Sequence, residues 1–221
     1  IAKNQPTVGI KEVLAVLKMP TVWLISIVIL SGYCAYWGTF RFTSYSSDIF
    51  LMSVTMAAVL SVGKLWMKPI AALGAGFIAD KFGIARSIAC LFIVLFASFT
   101  LFAILPGLPS LLPVMIINVA IASLAIFAMR GIYFALLEES SIPVVVTGTA
   151  AGIISVVGFT PDIFMPLLGG VLIDRFPGPE GYRYFFLTVA AICLIGLAAT
   201  LLLYRVNTEQ RDPNPLTSPR I

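Results

Sequence analysis

Residues 87–105 read Ser-Ile-Ala-Cys-Leu-Phe-Ile-Val-Leu-Phe-Ala-Ser-Phe-Thr-Leu-Phe-Ala-Ile-Leu, a run without one charged side chain. As a helix rising 1.5 Å per residue it extends about 28 Å, close to the hydrocarbon thickness of a bilayer, about 30 Å. A surface helix of a soluble domain keeps a polar face opposite its apolar stripe, and residues 87–105 have no such face. Five more stretches share this character: 21–40, 52–79, 111–137, 144–172 and 184–204. The connectors 44–48, 80–86, 106–110, 138–143 and 174–183 hold the turn formers and most of the charge. The runs are too long and too unalternating for barrel strands of about 10 residues.

Composition agrees. The 221 residues are 60% hydrophobic and 11% charged, with a mean hydropathy of +1.04, whereas a soluble domain carries about 25% charge. Disorder, collagen and a coiled coil are excluded for the chain as a whole. The expected fold is an all-α polytopic membrane protein: a linker over 1–20, a six-helix bundle over 21–205, and a tail over 206–221. That tail is rich in Pro, Asn, Thr and Ser and reads as disordered. The chain opens on Ile1 rather than Met, so a piece of a longer protein, or a processed one, is expected.

There is no histidine, which excludes Ser-His-Asp and Cys-His catalysis and His-ligated metals. Cys34, Cys90 and Cys193 lie far apart in apolar runs and read as small hydrophobes. No nucleotide-binding loop occurs. No cofactor, metal or nucleic-acid partner is expected.

Orientation follows the Lys and Arg count at the helix ends. Nine lie on one side (Lys3, Lys11, Lys18, Lys81, Arg86, Arg130, Arg205, Arg211, Arg220) and three on the other (Arg41, Arg175, Arg183). Both termini are therefore expected in the cytoplasm, with the protein in a bacterial inner membrane.

The sequence also repeats itself. Gly76-Phe77-Ile78-Ala79-Asp80-Lys81-Phe82 closes the second span and Gly170-Val171-Leu172-Ile173-Asp174-Arg175-Phe176 closes the fifth, each followed by a glycine, Gly83 or Gly178. An offset of three helices puts the copies on opposite membrane faces, the pattern of an inverted three-plus-three repeat. A glycine followed by an acid-base pair can also simply end an apolar helix.

Gly76, Asp80, Lys81, Gly83 and Arg86 resemble the loop signature of the major facilitator superfamily, G-x-x-x-D-[RK]-x-G-[RK]-x-[RK], found between the second and third helix of each six-helix half. Pro143 with Thr147, Gly148, Thr149, Ala150 and Gly152 resembles the superfamily segment entering the fifth helix of a half. Ile84 and Thr147 stand where the family usually has basic residues, as is common in the second half of such transporters. Residues 130–134 and 160–164 look most like bacterial proteins grouped loosely with nitrate/nitrite and organic-anion carriers. The resemblance implies the C-terminal half of a twelve-helix carrier, a missing N-terminal six-helix partner, and gating roles for Gly76, Asp80, Lys81, Gly83, Arg86 and Arg130. Glu138 and Glu139 are candidates for the same charge cluster, and Asp80 for capping a neighbouring helix or pairing with Arg86 or Arg130.

Ionisable groups at mid-bilayer cost at least about 2.5–3.5 kcal/mol each and tend to mark pathways. Lys68 and Lys64 precede Asp80 by about 18 Å and 24 Å of helix, and their spacing of four places both on one face. Asp162 lies at a similar depth in the fifth span and is a candidate partner for Lys68. The pair could hold a solute or only fix helix packing. Two like charges on one face favour an anionic solute. Tyr33, Tyr36, Trp37 and Arg41 share the first span, where a pocket wall competes with an interfacial aromatic belt. Asn118 could bond a ligand or a neighbouring helix. Pro69, Pro161 and Pro166 predict kinks near these charges, and the third and sixth spans, poor in polar atoms, read as lipid-facing supports.

The expected solute site is thus Tyr33, Tyr36, Arg41, Lys64, Lys68, Asn118 and Asp162, with no catalytic or metal residues. The expected function is secondary transport of a small anionic solute by alternating access, coupled to a proton or run as exchange. A membrane receptor or scaffold is the alternative. An intramembrane enzyme is disfavoured because only Asp162 among the carboxylates lies deep in a span.

Overall fold

The computed structural model describes residues 9–140 and 142–211, with side chains through Thr208. Its described residues form α-helices joined by short turns and 3₁₀ segments, without a strand: α1 (Ile10–Leu17), α2 (Pro20–Gly38), α3 (Phe42–Asp48), α4 (Val54–Phe82), α5 (Ile84–Ile104), α6 (Leu112–Ile132), α7 (Leu136–Glu139), α8 (Thr147–Gly158), α9 (Pro161–Arg175) and α10 (Pro179–Arg211). Six segments are long and apolar enough to cross a membrane: Pro20–Asp48, Val54–Phe82, Ile84–Ile104, Pro109–Glu139, Val144–Arg175 and Pro179–Thr208. The chain is an all-α polytopic membrane protein.

Inside the expected linker, α1 forms where the Glu12 carboxylate accepts the Gly9 N–H at 2.9 Å. It buries Val16 and exposes Ile10 and Leu14. At the other end α10 runs on to Arg211, past the expected boundary at 205, because no Gly or Pro interrupts the chain before Pro213. The rest of the expected tail, 212–221, lies outside the described residues.

The first span is longer than its apolar run. A 3₁₀ turn over Thr39–Arg41 leads into α3, so the expected connector 44–48 is helical. Aromatic packing accounts for this: Phe42 and Tyr45 are buried among Phe102 and Phe186, and the Tyr45 hydroxyl donates to the Phe102 carbonyl at 3.0 Å.

Packing partners follow the repeat. The first span packs on the fifth and sixth, the fourth packs on the second and third, and the third and sixth pack on each other. Exchanging the first span with the fourth, second with fifth and third with sixth leaves these contacts unchanged, as in an inverted repeat, except that the first span also packs on the second through α3, a contact the fourth and fifth spans do not repeat at that strength. The second and fifth spans are the least covered, with 11% and 22% of their apolar windows buried against 44% for the third and sixth. The third and sixth spans are therefore more than outer supports. Phe92, Leu95 and Phe99 of α5 and Phe186, Val189 and Cys193 of α10 are fully buried and belong to the core. Gly196 permits the contact, since a Cβ there would lie 2.4 Å from Phe92.

Of the expected kinks, one is a break. α4 continues through Pro69 as a single 29-residue helix, whereas the fifth span divides into α8 and α9 around Phe159 and Thr160, just before Pro161. A proline without an N–H fits the first position of a new helix.

Candidate functional site

The break in the fifth span creates the constellation. Gly158 ends α8 against α2, where a Cβ would stand 2.6 Å from Ile29 Cγ2. That close approach sets Phe159 beside Tyr33, with ring centroids 4.9 Å apart, and starts α9 alongside the C-terminal part of α2. Asp162 falls in the first turn of α9, where the partial positive charge of the helix N-terminus favours a carboxylate. Its Oδ1 accepts the Trp37 indole N–H at 2.8 Å, and the Tyr33 hydroxyl faces the same carboxylate.

Tyr33, Tyr36 and Trp37 sit at i, i+3 and i+4 on α2, one helix face. Arg130, near the end of α6, lies across that face with its guanidinium carbon 4.0 Å from the Tyr36 ring centroid and 5.3 Å from that of Tyr33. A guanidinium over an aromatic ring gains about 0.5–2 kcal/mol depending on desolvation, and stacking leaves its edge N–H donors available for an acceptor. Tyr33, Tyr36, Trp37 and Arg130 are half-buried and Asp162 is exposed, so the cluster is open on one side. It presents a cation, an anion and two phenols within an apolar bundle, a set able to orient a polar solute.

The remaining expected site residues divide. Lys64 is buried, but its ammonium donates to the Thr39 carbonyl at 2.7 Å and lies 5.6 Å from the ring centroids of Phe40 and Phe42. Lys68, one turn on, is exposed, so the shared face does not give the two amines a shared environment. The expected Lys68–Asp162 pair does not form among the described residues: Lys68 is exposed on α4, which does not pack on α9, while Asp162 lies against α2, bonded to Trp37. Arg41 is half-buried between α2 and α9, reaching the Pro166 carbonyl at 3.4 Å and packing on Gly169. Asn118 is buried and donates to the Ser98 carbonyl at 3.0 Å, a link between α6 and α5.

At the end of the bundle that carries the described termini, Gly83 occupies φ +91° and ψ 145°, a conformation that strongly favours glycine. This lets α4 stop and α5 begin one residue apart. The capping role expected of Asp80 falls to Glu139, whose Oε2 accepts the Ala85 N–H at 2.9 Å at the head of α5. Asp80 is exposed, and Gly76 has open space around it. Lys81 lies over the Phe82 ring, and Arg86 bonds and stacks on Tyr204. Arg130, also expected among these gate residues, lies over the Tyr33 and Tyr36 rings.

Tyr33, Tyr36 and Asp162 of the expected site thus come together with Trp37, for which a pocket wall and an interfacial belt compete, and with Phe159, which no sequence motif marks. The signal for Trp37 was its i+4 relation to Tyr33. Nothing local marked Arg130 as facing that stripe from another helix.

No family model matches the chain, and no solved structure matches it. It is 27% identical over 210 residues to the inner membrane protein YqcE of Escherichia coli (strain K12), an alignment covering 92% of this chain and 49% of that protein. It is also 27% identical over 204 residues to the inner membrane protein YihN of the same organism, covering 90% and 48%. The chain thus spans about half the length of the curated relatives it matches.

Proposed function

We propose that the chain is a six-helix half of a major facilitator superfamily carrier in a bacterial inner membrane, with both termini cytoplasmic. The complete carrier moves a small anionic solute by alternating access, driven by a proton or by exchange, and performs no enzymatic step. The observation that carries this reading is the Arg130 cluster: in the last turn of α6 a guanidinium lies over the Tyr36 and Tyr33 rings, open on one side, while the Asp162 carboxylate stands at the broken fifth span beside Tyr33, a set of charges suited to a polar guest. Support comes from the exchange symmetry of the packing and from two relatives about twice as long whose names place them in the inner membrane. The poorly covered second and fifth spans meet the other half through Trp66, Leu73 and Phe77 of α4 and Val156, Ile163 and Leu167 of the fifth span, all exposed. Arg130 binds the anionic group, Tyr33 and Tyr36 orient it, and Asp162 provides the titratable carboxylate for coupling. Lys68 contributes a further cation on α4.

The test is counterflow of a radiolabelled anion panel (nitrate, acetate, lactate, phosphate) into proteoliposomes holding the intact protein. Arg130→Gln should lower the flux of the accepted anion by about tenfold or more, the loss of a charge-assisted contact, while the protein stays monodisperse. Flux unaltered by that change removes Arg130 from the site. No flux of any anion, with uptake of a cationic or neutral solute instead, overturns the anion assignment.

A further inference from the structure

A second feature lies away from this cluster. Where α4 and α5 diverge, α6 forms the floor of a groove of about 790 Å³ whose walls include Ile70, Gly74, Ile78, Cys90, Val94 and Leu124. Arg86 and Phe82 stand at the end nearest the described chain termini. The groove follows α4 from Ile70 to Phe82, about 18 Å of helix, against about 15 Å for one leaflet of the hydrocarbon core. Ile70, Ile78, Phe82 and Leu124 are exposed along it, so it is open along its length.

An acyl chain gains little by leaving other acyl chains for an apolar groove, because lipid tails are as apolar as its walls. Any selectivity must therefore come from the headgroup end. There the folded partner of Arg86 is a neutral phenol: Tyr204 Oη accepts from Nε at 3.2 Å and also from Nη2, and its ring lies under the guanidinium. The neighbouring carboxylate, Glu139, is bonded to the head of α5. Arg86 is exposed and keeps further N–H donors for an acceptor, and exposed Lys81 adds a second cation at the same end. Asp80 is exposed beside Lys81 but does not line the groove.

We propose that this groove binds one acyl chain of an anionic phospholipid, with the lipid phosphate against Arg86. The site does not depend on the solute cluster, and its test does not read transport. Native mass spectrometry of the intact protein, incubated with dioleoylphosphatidylglycerol or dioleoylphosphatidylcholine, measures how much of each lipid is retained. Phosphatidylglycerol should be retained about fivefold over phosphatidylcholine, the scale of one Lys/Arg–anionic lipid attraction. Arg86→Gln should bring the ratio to about one and Arg86→Lys should keep most of it. Leu124→Trp, which fills the floor, should lower retention of both lipids. Equal retention by the unaltered protein, a preference that survives Arg86→Gln, or a discrete dimer in place of lipid adducts would each overturn the site. The Arg86 variants change an exposed position and so read the preference even if Leu124→Trp fails to fold.

Discussion

The Trp37 indole N–H meets the Asp162 carboxylate at 2.8 Å, tying α2 to the first turn of α9 immediately beyond the break in the fifth span. An indole has one donor and no acceptor, so this bond is the polar commitment of Trp37, and it fixes the carboxylate beside Tyr33. Trp37→Phe keeps an aromatic ring and deletes the donor. A hydrogen bond to a charged group contributes about 1.5–3 kcal/mol, and the exposure of Asp162 argues for the lower end. The expected result is a thermal midpoint lower by about 3–6 °C in detergent, at roughly 2–4 °C per kcal/mol for a domain of this size. Asp162→Asn retains an acceptor oxygen and should lose less. A midpoint unmoved by Trp37→Phe would show that the bond does not hold the two helices together.

Much of this architecture is legible in residues 87–105 and their five counterparts, because helix length and hydropathy are local properties and the bilayer sets their scale. The repeated Gly-x-x-x-Asp-base-Phe motif likewise announces the exchange symmetry that the packing shows. The site was only partly legible. Tyr33, Tyr36 and Trp37 form a stripe that a helical wheel displays, but the residues that meet it come from other helices. Arg130 lies over the stripe because α6 passes there, and Asp162 reaches it because Gly158 lets α8 approach α2. Spacing along a helix sets Lys64 and Lys68 four residues apart, yet spacing does not give azimuth relative to neighbours, and one amine is buried while the other is exposed.

Lys64 provides a direct test of that distinction. Its ammonium is bound to the Thr39 carbonyl, which also accepts the Phe42 N–H, so removing the amine leaves that oxygen with a partner. Replacing a buried charge by an apolar side chain of similar volume is often neutral or stabilising. Lys64→Met should therefore leave the thermal midpoint unchanged or raised, with solute flux within about threefold of the unaltered protein. If flux collapses while the midpoint holds, the amine serves the solute and its bond to Thr39 is only a resting contact.

The turn at Gly83 sets a second stability test. At φ +91° and ψ 145° a side chain is strained whatever space surrounds it, and the nearest atom to an added Cβ would be Glu139 Oε1 at 3.7 Å, ordinary contact. Gly83→Ala should therefore cost about 1–3 kcal/mol through the backbone alone. Glu139→Gln keeps an acceptor for the Ala85 N–H but loses the charge at the head of α5, a smaller change of about 0.3–1 kcal/mol. Thermal melts of both proteins give the order; a Glu139→Gln loss exceeding that of Gly83→Ala would mean that the carboxylate, not the turn, controls the α4–α5 junction.

Arg41 and Gly169 should be coupled more strongly than any pair in that junction. A Cβ at Gly169 would lie 2.9 Å from both Nε and Nη2 of Arg41 and 3.1 Å from the Phe185 ring. The guanidinium is the far end of a flexible side chain and can withdraw, but doing so gives up the contact with the Pro166 carbonyl, and Phe185 is buried and cannot follow. Gly169→Ala should cost about 1–3 kcal/mol, the range for overpacking. Arg41→Ala removes the guanidinium and its packing, and in its background the glycine substitution meets only the ring. The double variant should then be more stable than the sum of the single losses by about 0.5–2 kcal/mol, within the coupling range for residues in contact. A thermal-denaturation cycle in which the two losses simply add would show that Arg41 does not occupy the space beside Gly169.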